Sequence, residues 1–362
     1  MYITQIQLHN FRNYAELNLA IEPGTDVFYG ANAQGKTNVL EAVYLCCLGR
    51  SHRTSKYQDM ILQGQQMASA SVTVKRADGP RTVQVSLSSK GEKRIQVGGI
   101  AIKRMAELMG HINCVMFSPE DLQLVKGGPS LRRRYMDTTL CQLQPSYYQA
   151  LSAYNSALAQ RGALLRSMAK RGGDMALLDV FDERLATYGA KLIAARKAFL
   201  AELMQPLQQM QAAIAKGERL SISYRTSADM QQEEEIKTAL EAALMLGRSD
   251  DMRRMETSAG PHRDDIYISI DGKDARVYAS QGQQRTAALS MKLALMDIMY
   301  RHTGETPVLM LDDVLSELDR NRQRALLGAL NGQTLITTAT QPPRGIEIAA
   351  RFYVKEGNVT KR

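Results

Sequence analysis

The sequence predicts an α/β fold closed by both ends of the chain, with a mainly helical lobe inserted between them. Three observations carry that prediction. A glycine-rich turn, Gly30-Ala31-Asn32-Ala33-Gln34-Gly35-Lys36-Thr37, separates a strand-like segment from a helix-like one. Far along the chain, Val308-Leu309-Met310-Leu311 runs into Asp312-Asp313, as a central parallel strand ends at a ligand site. Between these, from about Gly127, alanine, leucine and glutamine rise and β-branched residues thin out. The expected division is one α/β domain from residues 1–126 and 258–362, with a helical lobe over 127–257.

The opening segment alternates as half-buried strands do, with Ile3, Ile6 and Leu8, then Leu17, Leu19 and Ile21 on one face. Asn10-Phe11-Arg12-Asn13-Tyr14 breaks it as a turn. Residues 25–29 read as a strand and 38–45 as a helix. A basic loop follows, Gly49-Arg50-Ser51-His52-Arg53-Thr54-Ser55-Lys56. Strand-like runs at 70–75, 82–87 and 93–97 are separated by Asp78-Gly79-Pro80 and Lys90-Gly91, which predicts an antiparallel meander. Residues 112–117 form a continuous apolar run, ended by a helix start at Ser118-Pro119-Glu120-Asp121.

Helical spacing over 146–170 and 174–216, with Arg171-Gly172-Gly173 between, predicts an antiparallel helical hairpin too short for a coiled-coil arm. A strand at 221–225 and a helix at 236–246 follow. Strand signals return at 266–270 and 275–278 around Asp271-Gly272. The last elements are helices at 284–300 and 320–330 and a buried strand at 334–338.

Composition excludes several classes. The chain has 362 residues, 44% hydrophobic and 23% charged, which are ordinary globular values. It contains no apolar run of membrane-spanning length. Met1-Tyr2-Ile3-Thr4-Gln5-Ile6 is a strand pattern rather than a secretory leader. Cys46, Cys47, Cys114 and Cys141 lack metal-ligand spacing and are expected as reduced, buried thiols, in a cytoplasmic protein. The net charge is +9, and residues 1–140 hold most of the excess, with 17 Lys and Arg against 11 Asp and Glu. That excess fits either a polyanionic partner or a solvated basic surface. If the partner exists, its contacts are expected at Arg50, Arg53, Lys56, Lys75 and Arg76.

The glycine-rich turn satisfies G-x-x-x-x-G-K-[ST], the phosphate-binding loop. Chemistry requires these residue types in this order. Gly30 and Gly35 let the backbone approach a phosphate closely. The loop's N–H groups and the positive end of the following helix converge on the anion. Lys36 is expected to reach the β- and γ-phosphates, and the Thr37 hydroxyl to ligate Mg²⁺. Asp312 fits the aspartate that holds Mg²⁺ from the opposite side. Asp313 stands where a carboxylate orients or deprotonates an attacking water. Ser280-Gln281-Gly282-Gln283 precedes a helix, with Ser280 as N-cap and Gly282 permitting close approach.

The order of phosphate loop, inserted lobe, S-x-G-Q, Asp312-Asp313 and Ser316-Glu317-Leu318-Asp319 resembles the ATP-binding-cassette (ABC) ATPase head. S-x-G-Q looks like its signature and Ser316–Asp319 like its D-loop. Asn10-Phe11-Arg12-Asn13-Tyr14 resembles the N-F-[KR]-x-[YF] segment of the heads of structural-maintenance-of-chromosomes proteins. Across nearly the whole chain the sequence is similar to the RecF family of bacterial recombination mediators. Phe117-Ser118-Pro119-Glu120-Asp121-Leu122, Leu124-Val125-Lys126-Gly127, Arg132-Arg133-Arg134, Gly260-Pro261-His262-Arg263-Asp264-Asp265 and Gln281-Gly282-Gln283-Gln284-Arg285-Thr286 carry that likeness.

The resemblance implies a homodimer closed around two ATP molecules. Ser280, Gly282 and Gln283 of one protomer would act on nucleotide held by the other protomer's loop. Arg12 and Asn13 would lie near their own protomer's nucleotide. It also implies ATP-dependent binding of double- and single-stranded DNA at gaps, and RecR and RecO as partners. Hydrolysis is expected to be slow. Asp313 replaces the Glu usual in transporters, and no histidine stands near Thr337-Thr338-Ala339-Thr340. Water positioning tolerates little misplacement. A transporter-type motor ATPase and a metabolite kinase are the competing readings. The missing histidine argues against the first, and the S-x-G-Q and D-loop order against the second.

Overall fold

The computed structural model describes residues 1–171, 175–215, 217–328, 331–339 and 347–362. Gly172, Gly173, Asp174, Lys216, Leu330 and Thr340, which figure in the sequence-based expectations, lie outside the described residues. The chain forms two compact units. The first comprises Met1–Gln123, Gln209–Gly217 and Arg285–Arg362, and the second Leu124–Gln208 and Glu218–Gln284.

The first segment supplies β1 (Tyr2–Phe11), β2 (Tyr14–Ala20), β3 (Thr25–Tyr29), α1 (Lys36–Leu48), β4 (Met67–Arg76), β5 (Gly79–Ser88), β6 (Lys93–Val97), β7 (Ile100–Ala101) and β8 (Cys114–Phe117). The middle of the chain forms α2 (Pro129–Leu143), α3 (Pro145–Arg171), α4 (Met175–Ile214), β9 (Leu220–Arg225), α5 (Glu233–Arg254), β10 (Asp265–Ile270), β11 (Lys273–Asp274) and α6 (Ala275–Tyr278). The chain closes with α7 (Gln281–Thr303), β12 (Val308–Asp312), α8 (Arg320–Gly328), β13 (Thr334–Thr338), β14 (Ala350–Lys355) and β15 (Asn358–Lys361).

Two six-stranded sheets build the first unit. One is antiparallel, in the order β2-β1-β4-β5-β6-β7. The other runs β15-β14-β3-β13-β12-β8 and is parallel except at β15. Helix α1 packs against β1, β4 and β5 of the first sheet and against β8, β12 and β13 of the second. A helix held between two sheets has no solvent face, so its sequence is apolar nearly all round. Val39, Leu40, Val43, Leu45, Cys46 and Cys47 are all fully buried. Truncating Leu40 or Leu45 to Ala would cost about 2–5 kcal/mol. The central strands β3, β12 and β13 are buried on both faces, which is why none of them alternates apolar with exposed polar residues. Buried Gln333 links the two sheets. Its amide accepts from Ile3 N at 2.6 Å and donates to Ile3 O and Glu22 O at 2.9 Å.

In the second unit, α3, α4 and α5 meet around a fully buried arginine. Arg161 pairs with Asp182 at 2.6 Å and Asp251 at 2.7 Å, and donates to the Thr257 hydroxyl at 2.9 Å. A buried guanidinium is tolerated only when so paired, and the pairing fixes which helix faces meet. Strands β9, β10 and β11 form a separate antiparallel sheet.

Several expectations need correction. Residues 258–284 were expected in the α/β domain, but β10 pairs with β9 and so belongs to the second unit. The boundary after residue 126 falls instead at Gln123. Residues 275–278 form the helical turn α6 rather than a strand, because the Asp274 carboxylate accepts from Arg276 N at 2.9 Å and caps it. The helix start at Ser118 yields only a 3₁₀ turn, closed when Asp121 accepts from Ser118 N at 2.9 Å. The hairpin β14–β15 lies outside those expectations, although Ala350, Phe352 and Val354 alternate with Arg351 and Lys355 as in a half-buried strand. All four cysteines are buried, and none is in a disulfide.

Candidate nucleotide site

The phosphate loop leaves β3 and enters α1 through glycines that the geometry demands. Gly35 has φ +116°, and a Cβ there would meet the Asn13 amide at 2.6 Å and the Tyr14 hydroxyl at 2.9 Å. Gly30 has φ +151°, and a Cβ there would lie 2.3 Å from Val354 O. The loop is clamped from two sides. Tyr14 donates to Gly35 O at 3.0 Å, and Asn13 donates to Gln34 O at 2.8 Å. The β14–β15 turn donates through Glu356 N to the Gln34 side chain at 2.8 Å and through Gly357 N to Gln34 O at 3.2 Å.

A cavity of about 380 Å³ opens in front of this loop. Asn32, Ala33, Gly35, Lys36, Thr37, Asn38, Arg53, Asp313 and Thr337 line it. The Lys36 ammonium is buried and donates to Gly30 O and Ala31 O, both at 2.8 Å. Burial lowers its pKa, and the carboxylates of Asp313 and Asp312 offset that only in part. The Asp312 carboxylate accepts from the Thr37 hydroxyl and from the Thr337 hydroxyl through one oxygen, each at 2.7 Å. Asp313 sits in the left-handed region at φ 51°, its N–H held by the Thr337 hydroxyl at 3.0 Å. One buried Asp313 carboxylate oxygen, Oδ1, has no hydrogen-bond partner. An Asp in this backbone region with an orphaned oxygen facing a polar cavity is poised for a ligand rather than for stability.

Behind the loop, Glu41 of α1 is fully buried and gathers three donors. Arg12 binds it through Nε at 2.8 Å and Nη2 at 2.6 Å, Ser51 through its hydroxyl at 2.5 Å, and Arg53 at 3.4 Å. Burial pushes the Glu41 carboxyl up, yet the bonds from Arg12 and Ser51 and the Arg12 and Arg53 charges hold it below the usual carboxylate range. Arg53 also donates to Asn38 Oδ1 at 2.9 Å, and Asn38 donates to Asn13 at 2.8 Å.

The structure thus brings Lys36, Thr37, Asp312 and Asp313 together, and Asn13 and Gln34 brace the loop beside them. Arg12 does not line the cavity; it holds Glu41 and the Asp59 carbonyl. Ser280 and Gln283 form a reciprocal cap at the start of α7 in the second unit, with Ser280 N donating to Gln283 Oε1 at 2.9 Å and Gln283 N to Ser280 Oγ at 3.2 Å. Gly282 stands inside this cap.

The five basic residues expected to meet a polyanion divide. Arg50, Lys56 and Lys75 are exposed. Arg53 lines the nucleotide cavity. Arg76 is committed elsewhere, bonded to Glu305 at 2.8 Å and to the carbonyls of Gly110 and His111. Arg132 of the basic run is likewise structural, paired to Asp265 at 2.6 Å and buried. Sequence reasoning missed Asn38, Thr337 and Glu41. Thr337 was findable, since it lies opposite Asp312 near the carboxyl end of the strand next to β12.

A strand–loop–helix phosphate cradle facing a carboxylate-tipped parallel strand, with a second unit inserted between them in the chain, defines a nucleotide-binding ATPase head. The description of the RecF/RecN/SMC N terminal domain matches residues 2–344. The chain is 42% identical over 373 residues to the DNA replication and repair protein RecF of Lactobacillus delbrueckii subsp. bulgaricus, covering 100% of this chain and 98% of that one. It is 43% identical over 364 residues to that of Agathobacter rectalis, covering 99% of both. A solved structure of the recombination mediator protein RecF with ATPrS superposes with a TM-score of 0.93 at 38% identity, covering 99% of this chain and 98% of that chain. An Smc head bound to the C-winged helix domain of ScpA shares the fold at 13% identity, with a TM-score of 0.59 over 100% of this chain and 97% of that one. The chain belongs to the RecF family. Among the described residues no helix is long and apolar enough to cross a membrane.

Proposed function

We propose that this chain is an ATP-gated DNA-binding protein of recombinational repair, in which two heads close around ATP and slow hydrolysis resets them. The observation that carries the nucleotide part is the bond from Thr37 to Asp312, which joins the two halves of one phosphate site. The relatives whose structures are described as RecF-ATP and RecF-ATPrS support ATP as the ligand.

Within the head, Lys36, which lies against the Gly30 and Ala31 carbonyls, would hold the β- and γ-phosphates, and the N-terminal amides of α1 would orient them. The hydroxyl of Thr37 and the carboxylate of Asp312 form a hard-oxygen donor pair, which fits Mg²⁺. When bound there, Mg²⁺ neutralises charge on the phosphate oxygens. Asp313 supplies the unpartnered oxygen that orients water at the γ-phosphate. Ser280, Gly282 and Gln283 act on the nucleotide of the opposite protomer.

Arg50, Lys56 and Lys75 are the leading candidates for phosphate contacts with double- or single-stranded DNA, and RecR and RecO for partners at gaps. The RecFOR pathway named for the solved relatives supports that setting. Duplex DNA added to the protein with ATP and Mg²⁺ should raise ATP turnover and bind more tightly than without nucleotide. Turnover and DNA affinity that ignore each other would exclude ATP gating.

A further inference from the structure

One face of the β9–β10 sheet in the second unit carries a pocket that the nucleotide reading does not use. Arg225 lies directly opposite Asp265 in the register, and Tyr267 follows two residues on, so the three share a face. Ile266 and Ile268 point the other way and are buried. The Arg225 guanidinium lies 3.9 Å from the centre of the Tyr267 ring. Arg276 of α6 and Asp274 complete a cavity of about 80 Å³, with Arg132 along one wall.

The charges there are not equivalent. Both Asp265 oxygens accept from Arg132, at 2.6 and 2.9 Å, and Asp274 accepts from Arg276 N at 2.9 Å. The Arg132 guanidinium is saturated by Asp265 and by the carbonyls of Leu124, Val125 and Gly127. Among the described residues, the guanidinium of Arg276 has no ion pair or hydrogen bond, and that of Arg225 has only the Tyr267 ring. Two unspent forks therefore flank a pocket in which Asp265 is committed to Arg132 and Asp274 caps α6. The ring covers one face of Arg225 and leaves its N–H edge for a bidentate acceptor.

We propose that Arg225 and Arg276 form a second phosphate site, which takes a single phosphate group. The cavity is about 80 Å³ against about 380 Å³ for the nucleotide cavity, so it suits one group rather than a nucleotide. The phosphate can belong to a nucleic-acid backbone or to a small phosphorylated molecule. The nucleic-acid source rests on the DNA-binding reading above, and the site then adds a contact on the helical unit to those at Arg50, Lys56 and Lys75.

Arginine-selective modification with phenylglyoxal, mapped by mass spectrometry on the full chain, reads the site directly. The probes are a 20-base-pair duplex and inorganic phosphate at equal phosphate concentration. Protection of Arg225 and Arg276 by duplex alone assigns the site to nucleic acid. Equal protection by inorganic phosphate assigns it to small phosphates, whether or not the chain binds DNA. Protection by neither overturns the proposal. In parallel, an Arg225→Gln/Arg276→Gln variant that binds ATP normally should lower the log–log salt slope of duplex binding by about one unit if the source is DNA. An unchanged slope beside normal wild-type DNA binding would overturn the nucleic-acid assignment while leaving the DNA-binding reading intact.

Discussion

The Thr37 hydroxyl donates to the Asp312 carboxylate at 2.7 Å, although the two residues stand 275 positions apart in the chain. The bond exists because β3 and β12 flank β13 in one parallel sheet, so their carboxyl ends open on the same cavity. Replacing Lys36 by Ala should abolish most ATP binding, since among the described residues lining the cavity it alone carries an ammonium, the group proposed to hold the β- and γ-phosphates. Asp312→Asn should weaken binding only when Mg²⁺ is present. Titrations with labelled ATP, with and without Mg²⁺, check both. A Lys36→Ala protein that binds ATP as wild type does would remove the basis of the nucleotide site.

Arg53 and Lys56 lie three positions apart on one loop and should behave differently. Arg53 reaches the cavity wall and Asn38, whereas Lys56 is exposed and, among the described residues, pairs with no carboxylate. Arg53→Ala should reduce ATP affinity, and Lys56→Ala should leave it unchanged while lowering the salt slope of DNA binding by about one unit. Equal effects of both substitutions on ATP binding would contradict the placement of Arg53.

Glu41 carries the charge that holds Arg12 behind the loop and pairs with Arg53 at the cavity wall. Glu41→Gln keeps the shape but takes the counter-charge from a partly exposed Arg12 guanidinium, a loss of about 1–3 kcal/mol, less than for a fully buried pair. Urea unfolding measures it. A loss under about 1 kcal/mol would mean that Arg12 is satisfied by carbonyls alone.

Much of this site could be read from the chain, and the reasons are local. The phosphate loop is legible because it needs glycines at fixed spacing, and Gly30 and Gly35 occupy backbone that Val354, Asn13 and Tyr14 approach too closely for any side chain. Asp312 is legible because its strand is buried on both faces. Glu41 is hidden because a carboxylate inside an apolar helix looks like any surface position until its two arginine partners arrive from elsewhere in the chain. The domain boundary was misplaced for a similar reason: β10 could pair with either unit, and only its register with β9 decides. Val277-Tyr278 favours a strand by composition, but the Asp274 cap turns it into a helix.

Asp26 of β3 is fully buried, and neither carboxylate oxygen has a hydrogen-bond partner. Burial, with a smaller push from Glu22, raises its pKa to about 7 in the folded chain, against 3.8 for an unburied carboxyl. Between those values the folded protein binds a proton that the unfolded chain has lost. Stability therefore falls as pH rises towards 7, by about 1.4 kcal/mol per unit from this group. Asp26→Asn should raise the Tm, with an advantage that grows from pH 4 to pH 7 and then levels. An advantage that shrinks over that range would contradict this account of Asp26.

The central claim is that ATP joins two of these heads, with the Ser280 segment of each acting on the other's nucleotide. Light scattering with ATP and Mg²⁺ tests it most directly, with wild type and Ser280→Arg measured side by side. Wild type should double its mass on adding nucleotide, and Ser280→Arg should stay monomeric while still binding ATP. A wild-type chain that binds ATP and Mg²⁺ yet remains a monomer at every protein concentration would contradict the claim.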